Sequence, residues 1–151
     1  MWHFLINNPA RLLFLRSIPQ ALQRLFGKEE EHEGTASTRV TLLYGSRTKA
    51  DAYLQKEMED MERRFPDRLK IVHILSGRKS AGGGRWKSGR IDKSLIKDEC
   101  TEALSDSSCR VWVCGPPSFY DELCGSRDQE YLPQSCVLRQ LGLKSSQVVK
   151  F

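Results

Sequence analysis

The sequence holds no run approaching 18 apolar residues, so it encodes no conventional membrane-spanning helix. Its five cysteines, at 100, 109, 114, 124 and 136, include no Cys-x-x-Cys pair. It has only three histidines, and none stands at ligand spacing to a cysteine pair, which argues against zinc. An odd cysteine number without a paired framework also argues against a disulfide scaffold, and for a reducing, intracellular compartment. Residues 1–28 contain no acid at all. They carry Arg11, Arg16, Arg24 and Lys28, most of the formal net charge of +5. The other 123 residues hold 20 basic and 19 acidic groups, so the body lacks the spread positive surface that nucleic-acid binding needs.

What is present is an ordinary globular mixture. The 151 residues are 39% hydrophobic and 28% charged, which suits one folded domain. Residues 1–28 admit two readings. One is a mitochondrial-type targeting segment, amphipathic, Arg-containing and acid-free, though poor in serine. The other is structural. Arg11–Leu15 is then a buried strand, and Pro19 opens a helix with Ala21, Leu22, Leu25 and Phe26 on one stripe. A further possibility is that this basic segment binds an organelle membrane or an import receptor. The acidic, then small and polar run 29–37 reads as a solvated loop.

From residue 39 onward strands and helices alternate. Arg39–Tyr44 is a short strand run. Thr48 opens a helix, with Asp51 at capping-box spacing, and Asp51 is better read as this cap than as a catalytic acid. Ala50, Tyr53, Leu54, Met58, Met61 and Phe65 follow a 3.6-residue period, and Pro66 closes the helix. Leu69–Leu75 is the next strand, and residues 76–90 read as a loop containing Gly82, Gly83 and Gly84. Asp92 caps a helix bearing Leu95, Ile96, Cys100, Ala103 and Leu104. Arg110–Cys114 is a strand, Pro117 starts a helix, and Leu132–Leu141 is a last helix stopped by Gly142. Gln147–Phe151 closes the sheet. This order predicts an α/β three-layer sandwich, a parallel sheet of about five strands with helices on both faces.

Such sheets bind ligands at the carboxyl ends of their strands. That rule selects Gly45–Arg47, Ser76–Lys79 and Cys114–Pro117. Gly45, Ser46 and Arg47 leave a strand for a helix, a turn suited to a polar or anionic group, with Arg47 able to grip phosphate as a fork. An ordinary turn with an exposed arginine is the competing reading. Residues 78–97 hold seven basic groups, Arg78 and Lys79 first, against Asp92 alone. They can hold a phosphorylated ligand or an acidic redox partner, or simply form a solvated loop. Gly82–Gly84 lacks the spacing of a phosphate loop. At Cys114-Gly115-Pro116-Pro117 a thiol stands at a strand exit, and Gly115 permits close backbone approach. A buried structural cysteine is the alternative.

Four ordered motifs carry a resemblance: LLYGSRTKADAYL (42–54), GRI (89–91), VWVCGPPSFYDEL (111–123) and LGLKSSQVVKF (141–151). Over residues 39–151 the chain resembles the NAD(P)-binding lobe of the ferredoxin-NADP reductase superfamily, most of all cytochrome b5 reductase-type oxidoreductases. The resemblance implies a Rossmann-like lobe and a hydride path from NAD(P)H to FAD and on to a one-electron acceptor such as a cytochrome. It implies that Cys114 positions the nicotinamide without acting as a nucleophile. Gly115, Pro116 and Pro117 would shape the nicotinamide and ribose wall, and Gly45, Ser46 and Arg47 would line the dinucleotide groove. Ser76 matches a position where NADH-preferring relatives carry an acid. With Arg78 and Lys79 beside it, that implies tolerance of NADPH. Phe151 resembles the aromatic residue on the flavin side of such lobes, with a sheet-edge anchor as the alternative.

Two departures stand beside these matches. Where relatives have a glycine-rich pyrophosphate loop, this chain has Arg16-Ser17-Ile18-Pro19-Gln20, whose side chains hold the backbone away from phosphates. The sequence also contains no flavin-binding barrel, so FAD would sit on a separate domain or subunit, or on the missing part of a longer product. The competing expectation is a non-catalytic binding or regulatory module that keeps the fold.

Overall fold

The computed structural model describes residues 2–7, 38–77 and 86–151. Six strands form one sheet: β1 (Trp2–Asn7), β2 (Val40–Ser46), β3 (Leu69–Leu75), β4 (Trp86–Ser88), β5 (Arg110–Cys114) and β6 (Val148–Lys150). Their order is β4-β3-β2-β1-β5-β6, and every pairing is parallel. Among the described residues the helices are α1 (Gln55–Arg64), α2 (Lys93–Leu104), α3 (Pro117–Leu123) and α4 (Val137–Gln140).

The layers follow from burial on both sheet faces. Parallel central strands are covered twice, so they read as nearly continuous apolar runs. On one face Leu43, Val72, Ile74, Val111 and Val113 pack with Ile96 and Ala103 of α2, Phe119 and Leu123 of α3, and Leu138 of α4. On the other face Val40, Leu42, Tyr44, Leu69 and Ile71 pack with Met58 of α1. Leu42, Leu43, Ile74 and Leu123 are fully buried. Each such side chain contributes about 1.5–3 kcal/mol relative to exposure. The expected three-layer α/β sandwich is the fold observed.

The end signals hold where the chemistry is local. Asp92 accepts from the Leu95 amide at 2.9 Å and caps α2. Pro117 occupies the first turn of α3. Gly142 takes φ +89° after α4. Asp51 is a cap: its carboxylate accepts from the amide and the hydroxyl of Thr48 at 3.0 and 2.8 Å.

Other expectations are corrected. The sheet has six strands rather than about five, because Trp86–Ser88 is a strand inside the expected loop 76–90. The strand seated between β2 and β5 is Trp2–Asn7, whereas the expected Arg11–Leu15 lies outside the described residues, as does the helix from Pro19. Periodicity cannot rank two short apolar runs so close in sequence. The helix from Thr48 is split into a 3-10 turn, Lys49–Asp51, and α1. Leu54, with φ +56°, makes the break. That break leaves Tyr53 53% exposed instead of on the packed stripe. The last helix is four residues, Val137–Gln140, not ten.

Candidate functional site

Parallel pairing brings all strand exits to one edge. Asn7 of β1 is level with Gly45 of β2, which is level with Ile74 of β3, while Ile6 is level with Cys114 of β5. The chain builds β2, β3 and β4 on one side of β1, then crosses to place β5 and β6 on the other. The order therefore reverses between β1 and β5, the place where open α/β sheets form a binding crevice. The Cys114–Pro117 exit lies on that crevice, and the β2 and β3 exits stand beside it.

The β2 and β3 exits are fastened to each other. The Ser76 amide donates to the Ser46 carbonyl at 2.9 Å, and the Gly77 amide to the Arg47 carbonyl at 2.9 Å. The Ser76 hydroxyl also donates to the Ser46 carbonyl, at 3.2 Å. Ser46 is buried, and its hydroxyl donates to the Thr48 carbonyl at 3.1 Å. Ser46 therefore shapes the turn, while Arg47 and Ser76 present exposed side chains to the edge. Arg78 and Lys79 lie outside the described residues, as does Gly82–Gly84.

Gly45 opens onto a small recess, about 20 Å³, that it shares with Ile74, Gly89, Arg90, Ile91, Phe119 and Glu122. At this recess Arg90 pairs with Glu122 at 3.1 Å. Gly89 holds φ +127°, a conformation that favours glycine, while its amide donates to the Leu75 carbonyl at 2.9 Å. The motif Gly89-Arg90-Ile91 signals this wall in sequence. Phe119 and Glu122 carry no such signal, because only the packing of α3 brings them there. A larger groove, about 410 Å³, opens at the opposite edge near Arg39, Arg68, Lys70 and Glu102. It lies at the amino ends of the strands, and its charges are matched by Lys70–Glu99 at 2.9 Å and Arg39–Glu102 at 3.9 Å. The carboxyl edge is the stronger site.

Cys114, Gly115 and Pro116 are half-buried and Pro117 is exposed. Burial pushes the Cys114 thiol above its usual range, partly offset by a hydrogen bond with Tyr120 and by Arg127. The sulfur is thus protonated at neutral pH. All five cysteines are free thiols. Phe151 extends the sheet, its amide donating to the Val113 carbonyl at 3.2 Å, and its ring meets Trp112 edge-on at 5.4 Å. Of the basic segment, Lys87 and Arg90 are engaged by Glu99 and Glu122. Sequence reading missed an aromatic ladder across the sheet. Tyr44 meets His73 edge-on at 5.8 Å, and His73 stacks on Trp86 at 4.4 Å.

The model of the oxidoreductase NAD-binding domain family matches residues 16–125. Its first matched residues are the segment Arg16–Gln20. Among curated proteins, NADH-cytochrome b5 reductase 2 of Aspergillus oryzae is 34% identical over 137 residues, covering 87% of this chain and 39% of that protein. The chain spans between a third and two-fifths of the length of the first curated relatives it matches. Among solved structures, the cytochrome b5 reductase domain of Ulva prolifera nitrate reductase superposes with a TM-score of 0.71 at 20% identity. It covers 99% of this chain and 48% of that one. The CS-b5R domains of human Ncb5or, in an NAD+ form, give 0.68 at 19% identity, covering 99% and 36%. These two likenesses show a shared fold.

Proposed function

We propose that this chain, which belongs to the oxidoreductase NAD-binding domain family, binds NAD(P)H in the crevice between the β1 and β5 exits and presents it to a flavin. The flavin, FAD, is held by a separate domain or subunit, and electrons pass on to a one-electron acceptor such as a cytochrome. The observation that supports this most is the sheet order. It reverses at the Ile6–Cys114 register, so the motif Cys114–Pro117 falls at the switch point.

The residues present fit the pyridine and ribose end of a dinucleotide. Gly115 lacks a side chain at a half-buried strand exit, so a ligand can approach its backbone. Pro116 and Pro117 stiffen the wall behind it. Bound NAD(P)H supplies a hydride. Cys114 contributes a neutral, poorly hydrated surface beside that hydride's path, because burial keeps its sulfur protonated. A thiolate there would set an anion against the donor. Gly45 leaves the groove open next to β1, and Arg47 and Ser76 face the edge where the adenosine ribose and its phosphate would lie.

The second reading, a non-catalytic module on the same fold, draws on Arg16–Gln20, where the family match begins without glycine. Calorimetry of the purified chain with NADH and NADPH tests binding, and absence of heat at millimolar nucleotide would sink the first reading. Flavin-supplemented reduction of ferricyanide by the chain would sink the second. For residues 1–28 the proposal is a mitochondrial address with membrane contact that leaves Trp2–Asn7 in place, since that stretch is the central strand β1. A reporter fusion giving a diffuse cytosolic signal would remove it.

A further inference from the structure

We propose that Tyr120 is a positioning residue for the pyridine end of the nucleotide, its hydroxyl tying the Cys114 exit of β5 to Phe151 so that both move as one piece. The inference rests on the reading of the crevice given above.

Tyr120 stands in the second turn of α3 and is 3% exposed. Its neighbour Phe119 is also buried, so this part of the core accepts a plain aromatic ring. A buried hydroxyl is costly unless it is hydrogen-bonded, so the phenol oxygen needs partners that a phenylalanine would not. Its O–H donates to the backbone oxygen of Phe151. At its other end the residue stands on the strand exit: the amides of Phe119 and Tyr120 donate to the Pro116 carbonyl at 2.9 and 3.4 Å.

The two anchors belong to different parts of the crevice wall. Pro116 ends the strand exit that starts at Cys114. Phe151 continues from β6, held by its amide on Val113 and by its ring on Trp112, next to Val113 in β5. Without the hydroxyl, the exit and the aromatic residue are joined only through strand pairing. With it, α3 holds both, the exit through the Pro116 carbonyl and Phe151 through the hydroxyl. Binding a planar ring against a wall set in advance avoids the cost of ordering that wall on arrival.

The test is Tyr120→Phe in the full chain, which keeps the ring and removes the hydroxyl link to Phe151. Calorimetry measures NADH and ADP-ribose, the second lacking the nicotinamide. Amide exchange of Phe151 is followed by NMR. The expected result is NADH binding weakened about three- to tenfold, the worth of one such bond. ADP-ribose affinity stays within about twofold, and Phe151 exchange rises roughly tenfold. Equal loss for both ligands would mark a merely structural tyrosine and overturn the proposal, as would no change in either. A wild-type chain that binds neither ligand overturns the crevice reading and this inference with it. If Tyr120→Phe does not fold, Phe151→Leu keeps the accepting oxygen and removes the ring. The same split between the two ligands is then expected, and its absence overturns the proposal.

Discussion

The amide of Gly77 donates to the carbonyl of Arg47 at 2.9 Å, beyond the last register pair of β2 and β3, Ser46 with Leu75. Backbone therefore holds these two exits together, and the exposed Arg47 side chain is not needed for that link. Arg47→Ala should remove one charged contact to a bound phosphate. The expected outcome is about tenfold weaker NAD(P)H binding by calorimetry. Unchanged affinity would take Arg47 out of the groove.

Gly125 is where the fold tolerates no side chain. It follows α3 with φ +75°, and an added Cβ would lie 2.6 Å from the Cδ and Cγ of Pro133 and 2.7 Å from Oε1 of Gln129. Both the left-handed backbone and the crowding oppose a methyl group. Gly125→Ala should destabilise the chain by about 1–3 kcal/mol in urea unfolding. A loss of only a few tenths would mean that Pro133 yields easily.

Three strands of the sheet were legible because they are buried on both faces, whereas β1 was expected at Arg11–Leu15 and lies at Trp2–Asn7. RVTLLY, LKIVHIL and RVWVC carry that burial as apolar runs, and Asp92, Pro117 and Gly142 mark helix ends by local chemistry. Trp86–Ser88 was not legible. Two of its three residues are exposed, and its place depends on the Trp86 ring stacking on His73, a contact between segments far apart in sequence. Nor did the period of Ala50, Tyr53 and Leu54 reveal the left-handed turn at Leu54, since periodicity assumes unbroken helical backbone. The three exits of the site were legible as strand-to-turn boundaries. That Ser46 turns inward to Thr48, and that Tyr120 reaches Phe151, depends on side-chain direction and packing that spacing does not encode.

Glu99 links α2 to the sheet edge through two lysines. Its side chain is only 10% exposed, and it pairs with Lys70 of β3 at 2.9 Å and with Lys87 of β4. Burial disfavours the carboxylate, but the two ammonium groups outweigh it and hold the carboxyl below its usual range. A carboxyl whose folded pKa is depressed stabilises the fold fully above the unfolded value, near ~4.3. That contribution is lost as pH falls through the lower folded value. Glu99→Gln should therefore lower the urea midpoint at pH 7 and flatten its decline between about pH 5 and pH 2. Parallel pH profiles for the two proteins would show that the triad contributes nothing to folding.

Ser76 leaves β3 at the same edge as Arg47, exposed, with its hydroxyl engaged by the Ser46 carbonyl at 3.2 Å. If the adenosine ribose lies over this exit, a carboxylate in place of the hydroxyl meets a 2′-phosphate with like charge but can accept from a free 2′-hydroxyl. Ser76→Asp should then weaken NADPH binding by about tenfold while leaving NADH equal or tighter, a difference of ~1.4 kcal/mol or more. The two dissociation constants, measured side by side at one ionic strength, decide it, because added salt would screen the repulsion. Equal changes for both nucleotides would place the ribose elsewhere along the sheet edge and remove Ser76 from the choice between them.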